Sequence, residues 1–504
     1  MSSLPENVEA GREGPALRRM LGPLQLIAVG IGAIIGAGIF VVTGHAAASY
    51  AGPGVVISFG FAGLSCLLAA LCYAEYASMI PVAGSAYTYT YATLGRLPGW
   101  MIGWNLVLEY LVSAAAVATG WSGYLIDLLS RLGVPISARL AATPFALHGL
   151  TGFTATGAFF NLPAAVLVLV MTSLLVVGIQ ASVRINSVMV VIKLAIVMLV
   201  IGVGFAYIAP VNHTPFIPTN AGQFGHFGWS GVFRATGVIF FAYLGFDAVS
   251  VLAQEARNPQ RDVPIGILTA VVVCTALYML MSYVVTGLTP YTSLNVANPV
   301  SMAIEQAAPG MRWLACVINA GAVVGLASVV LVLLLAQSRI FYAMSSDGVI
   351  PALFGRIHPR FRTPYLGTIV NGVIAALLAG VVPLDILGEL ISIGTLAAFA
   401  FVCLGVLVLR LKAPLAHRPF RTPFVWLVAP LGGALCGVMM ASLPLDTWVR
   451  LLVWSLIGLA IYCFYGVRHS RPSRWSIAAP QAAAPAKVSG PGSDEPTVLK
   501  LRSL

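Results

Sequence analysis

Apolar residues in this chain fall in long, nearly uncharged blocks separated by short polar stretches. Roughly 20 apolar residues suffice to cross a bilayer. The blocks predict about twelve spans, at 24–48, 53–79, 99–127, 161–179, 185–208, 232–253, 264–288, 312–343, 365–382, 388–409, 423–443 and 448–468. The expected fold class is an all-α membrane protein. Gly30, Gly32, Gly36 and Gly38 crowd into the first span. Glycine costs about 1 kcal/mol per position in a helix interior, so this density predicts a helix that opens midway. At that depth a break is tolerable where the freed N–H and C=O groups line a cavity or bind something. The competing reading, a Gly32-x-x-x-Gly36 packing face, accounts for neither Gly30 nor Gly38.

The sixth span echoes the first. Gly245 sits mid-span in the run 238–247, close to Asp247. Five spans are an odd number, so a second block of five enters the membrane inverted relative to the first. Paired interrupted helices in inverted halves point to a secondary transporter and its site. The expected organisation is a cytoplasmic segment 1–23, a five-helix repeat 24–208, an inverted repeat 232–409, two further helices within 423–468, and a disordered tail 470–504.

Composition supports the membrane assignment: 59% of residues are hydrophobic and 9% charged, against about 25% charged in soluble domains. The net charge of +11 raises the question of a nucleic-acid partner, but its distribution argues for topology. With the N-terminus in the cytoplasm, 21 of the 27 Lys and Arg fall inside, so the positive-inside rule predicts both termini there. Segment 1–23 lacks the apolar run and small-residue cleavage site of a signal peptide. The seven cysteines lie in apolar spans without C-x-x-C spacing and read as small core residues. No histidine pair has metal-ligand spacing, so neither a metal nor a cofactor is expected. The extramembrane stretches are too short for a soluble catalytic domain. None of the four lysines follows a glycine, which excludes a Walker A loop. Energy coupling must come from an ion gradient or exchange, and no nucleophile constellation suggests an enzyme.

Lys193 lies nine residues beyond Arg184, about 13 Å along a helix, near the middle of a hydrocarbon core of roughly 30 Å. An ammonium there is costly. It either exchanges protons during a cycle or stands as a permanent charge in place of a bound cation; a packing role, with the amine capped by carbonyls, is the bland alternative. Glu109 is similarly deep. It can pair with a cationic substrate, hold a proton or order water, or simply bond a neighbouring helix. Asp247 is placed to cap the half-helix that follows the second break, with direct substrate contact as the alternative. Half-helix amides seat a carboxylate, and unwound carbonyls accept an amine. An α-amino acid supplies both groups, whereas a sugar needs polar side chains these spans lack. Tyr87, Tyr89 and Tyr91 read as an interfacial aromatic belt, with an inner gate as the alternative.

Four stretches carry a family resemblance: 30–40 (GIGAIIGAGIF), 72–95 (CYAEYASMIPVAGSAYTYTYATLG), 240–250 (FFAYLGFDAVS) and 255–266 (EARNPQRDVPIG). On these the chain resembles the amino acid–polyamine–organocation superfamily over about residues 18–470, and most closely the bacterial members of its cationic amino acid transporter branch. The resemblance implies a LeuT-like fold of twelve helices, a 5+5 inverted repeat with helices 1 and 6 discontinuous, and alternating access. It implies substrate contacts at Ile34, Gly36, Ala37, Gly38, Phe241, Ala242 and Leu244. Lys193 matches a lysine that fills a sodium position in relatives and is linked to proton coupling, and Glu109 matches a glutamate near the site. Leu333, in 325–339 (GLASVVLVLLLAQSR), falls at a position tied to substrate size and favours small neutral substrates over arginine. Three departures stand out: Ala37 replaces a common hydroxyl residue, Gln254 replaces an acid, and the two extra spans of animal members are missing. The leading expectation is proton-coupled import of amino acids, small neutral or cationic, through the cell membrane. An exchanger is the nearest rival, and a non-transporting sensor is the alternative from another class. An accessory subunit is not readable from the sequence.

Overall fold

The computed structural model describes residues 21–80, 84–148, 152–220, 222–361 and 363–470. All but the end of the expected segment 1–23, and the tail beyond Ser470, lie outside the described residues. The longer helices are α1 (Pro23–Ile34), α2 (Val55–Met79), α3 (Ser85–Thr93), α4 (Arg96–Arg131), α5 (Leu162–Val177), α6 (Ile179–Phe205) and α7 (Gly228–Ile239). They continue as α8 (Pro259–Leu288), α9 (Pro299–Ala307), α10 (Arg312–Ser346), α11 (Tyr365–Val381), α12 (Leu384–Lys412), α13 (Val425–Ser442) and α14 (Leu445–Ile461). Among the described residues, a two-stranded antiparallel pair, Phe145–His148 against Gly152–Ala155, and an isolated parallel bridge between Leu21 and Ala256 depart from an otherwise helical architecture.

Among the described residues, nine helical stretches are long and apolar enough to cross a membrane, and α5 and α11 are shorter apolar helices. The first stretch, Pro23–Met79, turns at Gly52–Gly54 and so contains two of the expected spans. Burial sorts the stretches. Pro23–Met79, Arg96–Arg131 and Gly228–Val251 are each 89% buried over their apolar windows, against 33% for Val425–Ser442 and 17% for Leu445–His469. The glycine-broken helices and α4 are therefore the centre, and the last two helices form an exposed rim. Around the centre, α4 packs along α10, and α8 packs along both α1 and α2.

The tyrosine run departs from expectation. Tyr87, Tyr89 and Tyr91 lie on α3 and are 0–3% exposed, so they form no belt at a lipid interface. Tyr89 stacks on Tyr76, ring centroids 5.1 Å apart, and the Tyr87 hydroxyl donates to Asp347 Oδ2 at 2.8 Å. Nearby, Glu75 on α2 is fully buried. Arg410 donates to both its oxygens (3.0 and 2.8 Å), and Arg418 and the Thr422 N–H add bonds of 3.1 and 2.8 Å. This clasp fastens the connection between α12 and α13 onto the end of α2.

Candidate functional site: two broken helices around one cavity

The first break falls where the glycines predict it. The α1 ladder closes with Ile35 N–H to Ile31 O, and Ile35 itself is extended (ψ 99°). Helical bonding resumes with Phe40 N–H to Gly36 O, so the intervening amides sit outside the backbone ladder. The second break follows α7: a tight turn at Phe240–Tyr243, an extended Leu244 (ψ 137°), and Gly245 at φ +113°. Only glycine adopts that φ at little cost, and a Cβ there would press on Ala33 Cβ at 2.6 Å. A Cβ on Gly38 would collide with the Cα and Cβ of Ala242. The two breaks thus touch, and lack of a side chain is what lets them.

Between them lies a cavity lined by Ala33, Ile34, Gly36, Ala37, Gly38, Val117, Phe241, Ala242, Leu244, Val329 and Leu333. All eight residues expected to contact substrate are in this lining. Its free space is about 10 Å³, on the scale of a single water, so anything larger requires the walls to part. No lining side chain carries a charge, amide or hydroxyl.

Lys193, on α6, is fully buried beneath the first break. Its Nζ donates to Gly32 O (2.5 Å), Ile35 O (2.8 Å) and Ser328 Oγ (2.9 Å). An ammonium has three donors and no acceptor, so its hydrogen-bonding capacity is filled, two-thirds of it by carbonyls released from α1. Tyr278 on α8 ties the breaks together, its hydroxyl lying 2.5 Å from Ile34 O and 2.7 Å from Ala242 O. Carbonyls expected to receive a substrate amine are thus already engaged by protein donors. The free amides between Ile35 and Phe40 are the less committed part of the break.

Glu109 is fully buried on α4, but it does not line the cavity. It lies eight residues from Val117, about 12 Å along the helix. Neither of its carboxylate oxygens lies within 3.5 Å of a well-aligned donor among the described residues, and it interacts with Asp247 and with the Thr395 hydroxyl. Asp247 stands at the N-cap position of the short helix Ala248–Val251, yet its side chain makes no capping bond. Its Oδ2 instead accepts from the hydroxyls of Tyr110 and, at 3.4 Å, Ser85. The expected capping role gives way because a nearby phenol is the closer donor.

Sequence reasoning missed Tyr278, Ser328 and Tyr110. Each is one hydroxyl in an apolar span, and nothing in one-dimensional spacing marks it as facing a break rather than lipid.

The model of the amino acid permease family matches residues 21–468. A methylthioribose transporter of Bacillus subtilis (strain 168) is 44% identical over 465 residues, 92% of this chain and 97% of that protein. The branched-chain amino acid permease BcaP of the same organism is 45% identical over 470 residues, 93% and 97% respectively. Human cationic amino acid transporter 4 is 35% identical over 407 residues, 79% of this chain and 60% of that protein. These relatives are permeases and transporters rather than enzymes, and an integral membrane location agrees with the apolar helices. The chain belongs to the amino acid permease family.

Proposed function

We propose that this chain imports L-amino acids with neutral, apolar side chains by proton symport, using alternating access across the cell membrane. The observation that carries the substrate class is the cavity lining. The amides of the first break offer N–H donors for a carboxylate, and every surrounding side chain is apolar. A cationic side chain buried there would lack a counter-charge, which is costly; Glu109 is too far along α4 to supply one. Methylthioribose transport, suggested by one relative's name, demands partners for ribose hydroxyls, and the lining offers no polar side chain. The branched-chain permease is the relative whose named substrate suits this cavity.

In this reading Ile34, Gly36, Ala37, Gly38, Phe241, Ala242, Leu244 and Leu333 form the substrate site. Lys193 and Glu109 are the proton-coupling residues. Lys193 holds the first break through two of its carbonyls, so a change in its protonation alters the shape of the carboxylate seat. Glu109, a buried carboxyl beside Asp247 and the Thr395 hydroxyl, is available to take a proton. The twelve-span, 5+5 inverted organisation belongs to the same proposal, supported by the pair of breaks and by the folding of Pro23–Met79 into two arms. So does the placement of both termini in the cytoplasm, supported by the charge distribution.

Uptake into proteoliposomes tests the substrate class. L-Leucine, L-valine and L-methionine are expected to enter and to compete with one another, while L-arginine and methylthioribose compete at least about tenfold more weakly, as an unpaired buried charge or unmet hydroxyls require. Preferential uptake of arginine or methylthioribose overturns the assignment.

A further inference from the structure

We propose that a pocket between the start of α8 and the α12–α13 connection binds an anionic phospholipid. The pocket is a cavity of about 370 Å³ with an open mouth. Its volume is in the range of ligand sites and far above the free space between the two breaks. One wall is the beginning of α8, where Arg261, Pro264, Ile265 and Leu268 share a face at helical spacing. The other wall is Pro419 and Phe420, and it is fastened in place. Arg418 and Thr422, on either side of it, both bond Glu75. The Phe420 N–H itself donates to Ser78 Oγ at 3.2 Å.

Along α8 the lining changes from polar to apolar. Gln260 and Arg261 lie in the first turn, and Ile265 and Leu268 follow one to two turns further into the helix. A phospholipid has the same order, a charged headgroup and then acyl chains. Arg261 is exposed and makes no salt bridge among the described residues, and the same holds for Arg257 and Arg421. The carboxylates nearby are committed. Glu75 serves Arg410 and Arg418, and Asp262, 4% exposed, accepts the Asn258 N–H. Positive charge is in surplus on the connection as well: burial holds the Arg418 guanidinium below its ordinary pKa, and repulsion from Arg410 and Arg421 adds to this. A basic pocket between helices at a membrane's cytoplasmic edge is where anionic headgroups bind. Phe424 and Trp426, 83% and 63% exposed at the start of α13, are aromatic residues of the kind that marks headgroup level.

The test uses no amino acid, so it stands apart from the transport reading. Purified full-length protein in detergent is titrated with phosphatidylglycerol or with phosphatidylcholine of the same acyl chains. Native mass spectrometry follows the first lipid bound. Phosphatidylglycerol is expected to bind at least about fivefold more tightly, the worth of one arginine at an anionic headgroup. Arg261→Gln is expected to lose about fivefold for phosphatidylglycerol and to leave phosphatidylcholine within about twofold of the parent. Arg356→Gln removes an exposed arginine outside the lining and is expected to change neither lipid by more than about twofold. Should Arg261→Gln not fold, Gln260→Glu, exposed and of equal size, carries the same prediction by setting a like charge at the mouth. Equal binding of the two lipids overturns the site, as do equal losses in Arg261→Gln and Arg356→Gln. Displacement of bound lipid by inorganic phosphate also overturns it, since that pocket would take the free anion rather than a headgroup held by its chains.

Discussion

Leu333 offers the sharpest prediction about selectivity. It is 1% exposed and lines the cavity opposite the breaks, and the cavity's free space of about 10 Å³ leaves side-chain volume as the limiting quantity. Leu333→Ala removes three carbon atoms from the wall. At about 0.8 kcal/mol per buried CH₂, up to about 2.4 kcal/mol of apolar contact passes from protein to a larger substrate, a ceiling of about 50-fold. Partial collapse of the cavity reduces this, so the expected change is at least about fivefold. The assay is competition by L-alanine, L-leucine and L-phenylalanine against labelled L-leucine in proteoliposomes. The phenylalanine-to-alanine preference should rise in Leu333→Ala and stay near parental in Leu333→Met, whose volume is conserved. A folded Leu333→Ala protein whose preference moves less than about twofold refutes the reasoning.

Two further expectations concern residues the sequence left unmarked. Tyr278→Phe strips the one O–H donor shared between Ile34 O and Ala242 O; losing it costs about 1–3 kcal/mol, so melting temperature drops and apparent affinity for leucine falls by about tenfold. Unchanged affinity would remove Tyr278 from the site. Glu75→Gln leaves Arg410 and Arg418 without their shared counter-charge, and burial already pulls the Arg418 guanidinium below its ordinary pKa. Arg410 is 20% exposed, so the loss should lie near the lower end of about 3–5 kcal/mol, read as thermal destabilisation with leucine affinity in the folded fraction unaltered.

Legibility followed the physics of each feature. The breaks were readable because glycine in an apolar span has a local cost that demands a local explanation, and both Gly38 and Gly245 sit where a Cβ has no room. Lys193 was readable because a charge in hydrocarbon is rare and expensive. The carboxylate of Asp247 was misread as a cap because local sequence shows the following helix but not Tyr110, which arrives from another span. The tyrosines of α3 were misread for a related reason: an interfacial belt and a short helix buried on all sides have the same composition. The Glu75 clasp joins residues 335 and 343 positions apart, a pairing that neither periodicity nor spacing encodes.

The central claim is that a neutral amino acid held between two broken helices moves together with a proton. It is tested most directly by L-leucine accumulation in proteoliposomes under an imposed inward proton gradient, with Lys193→Ala alongside. The account predicts accumulation above equilibrium that a protonophore abolishes, and, for Lys193→Ala, uptake that no longer responds to the gradient. Parental uptake that ignores the gradient, or that occurs only when the vesicles are preloaded with amino acid, contradicts it.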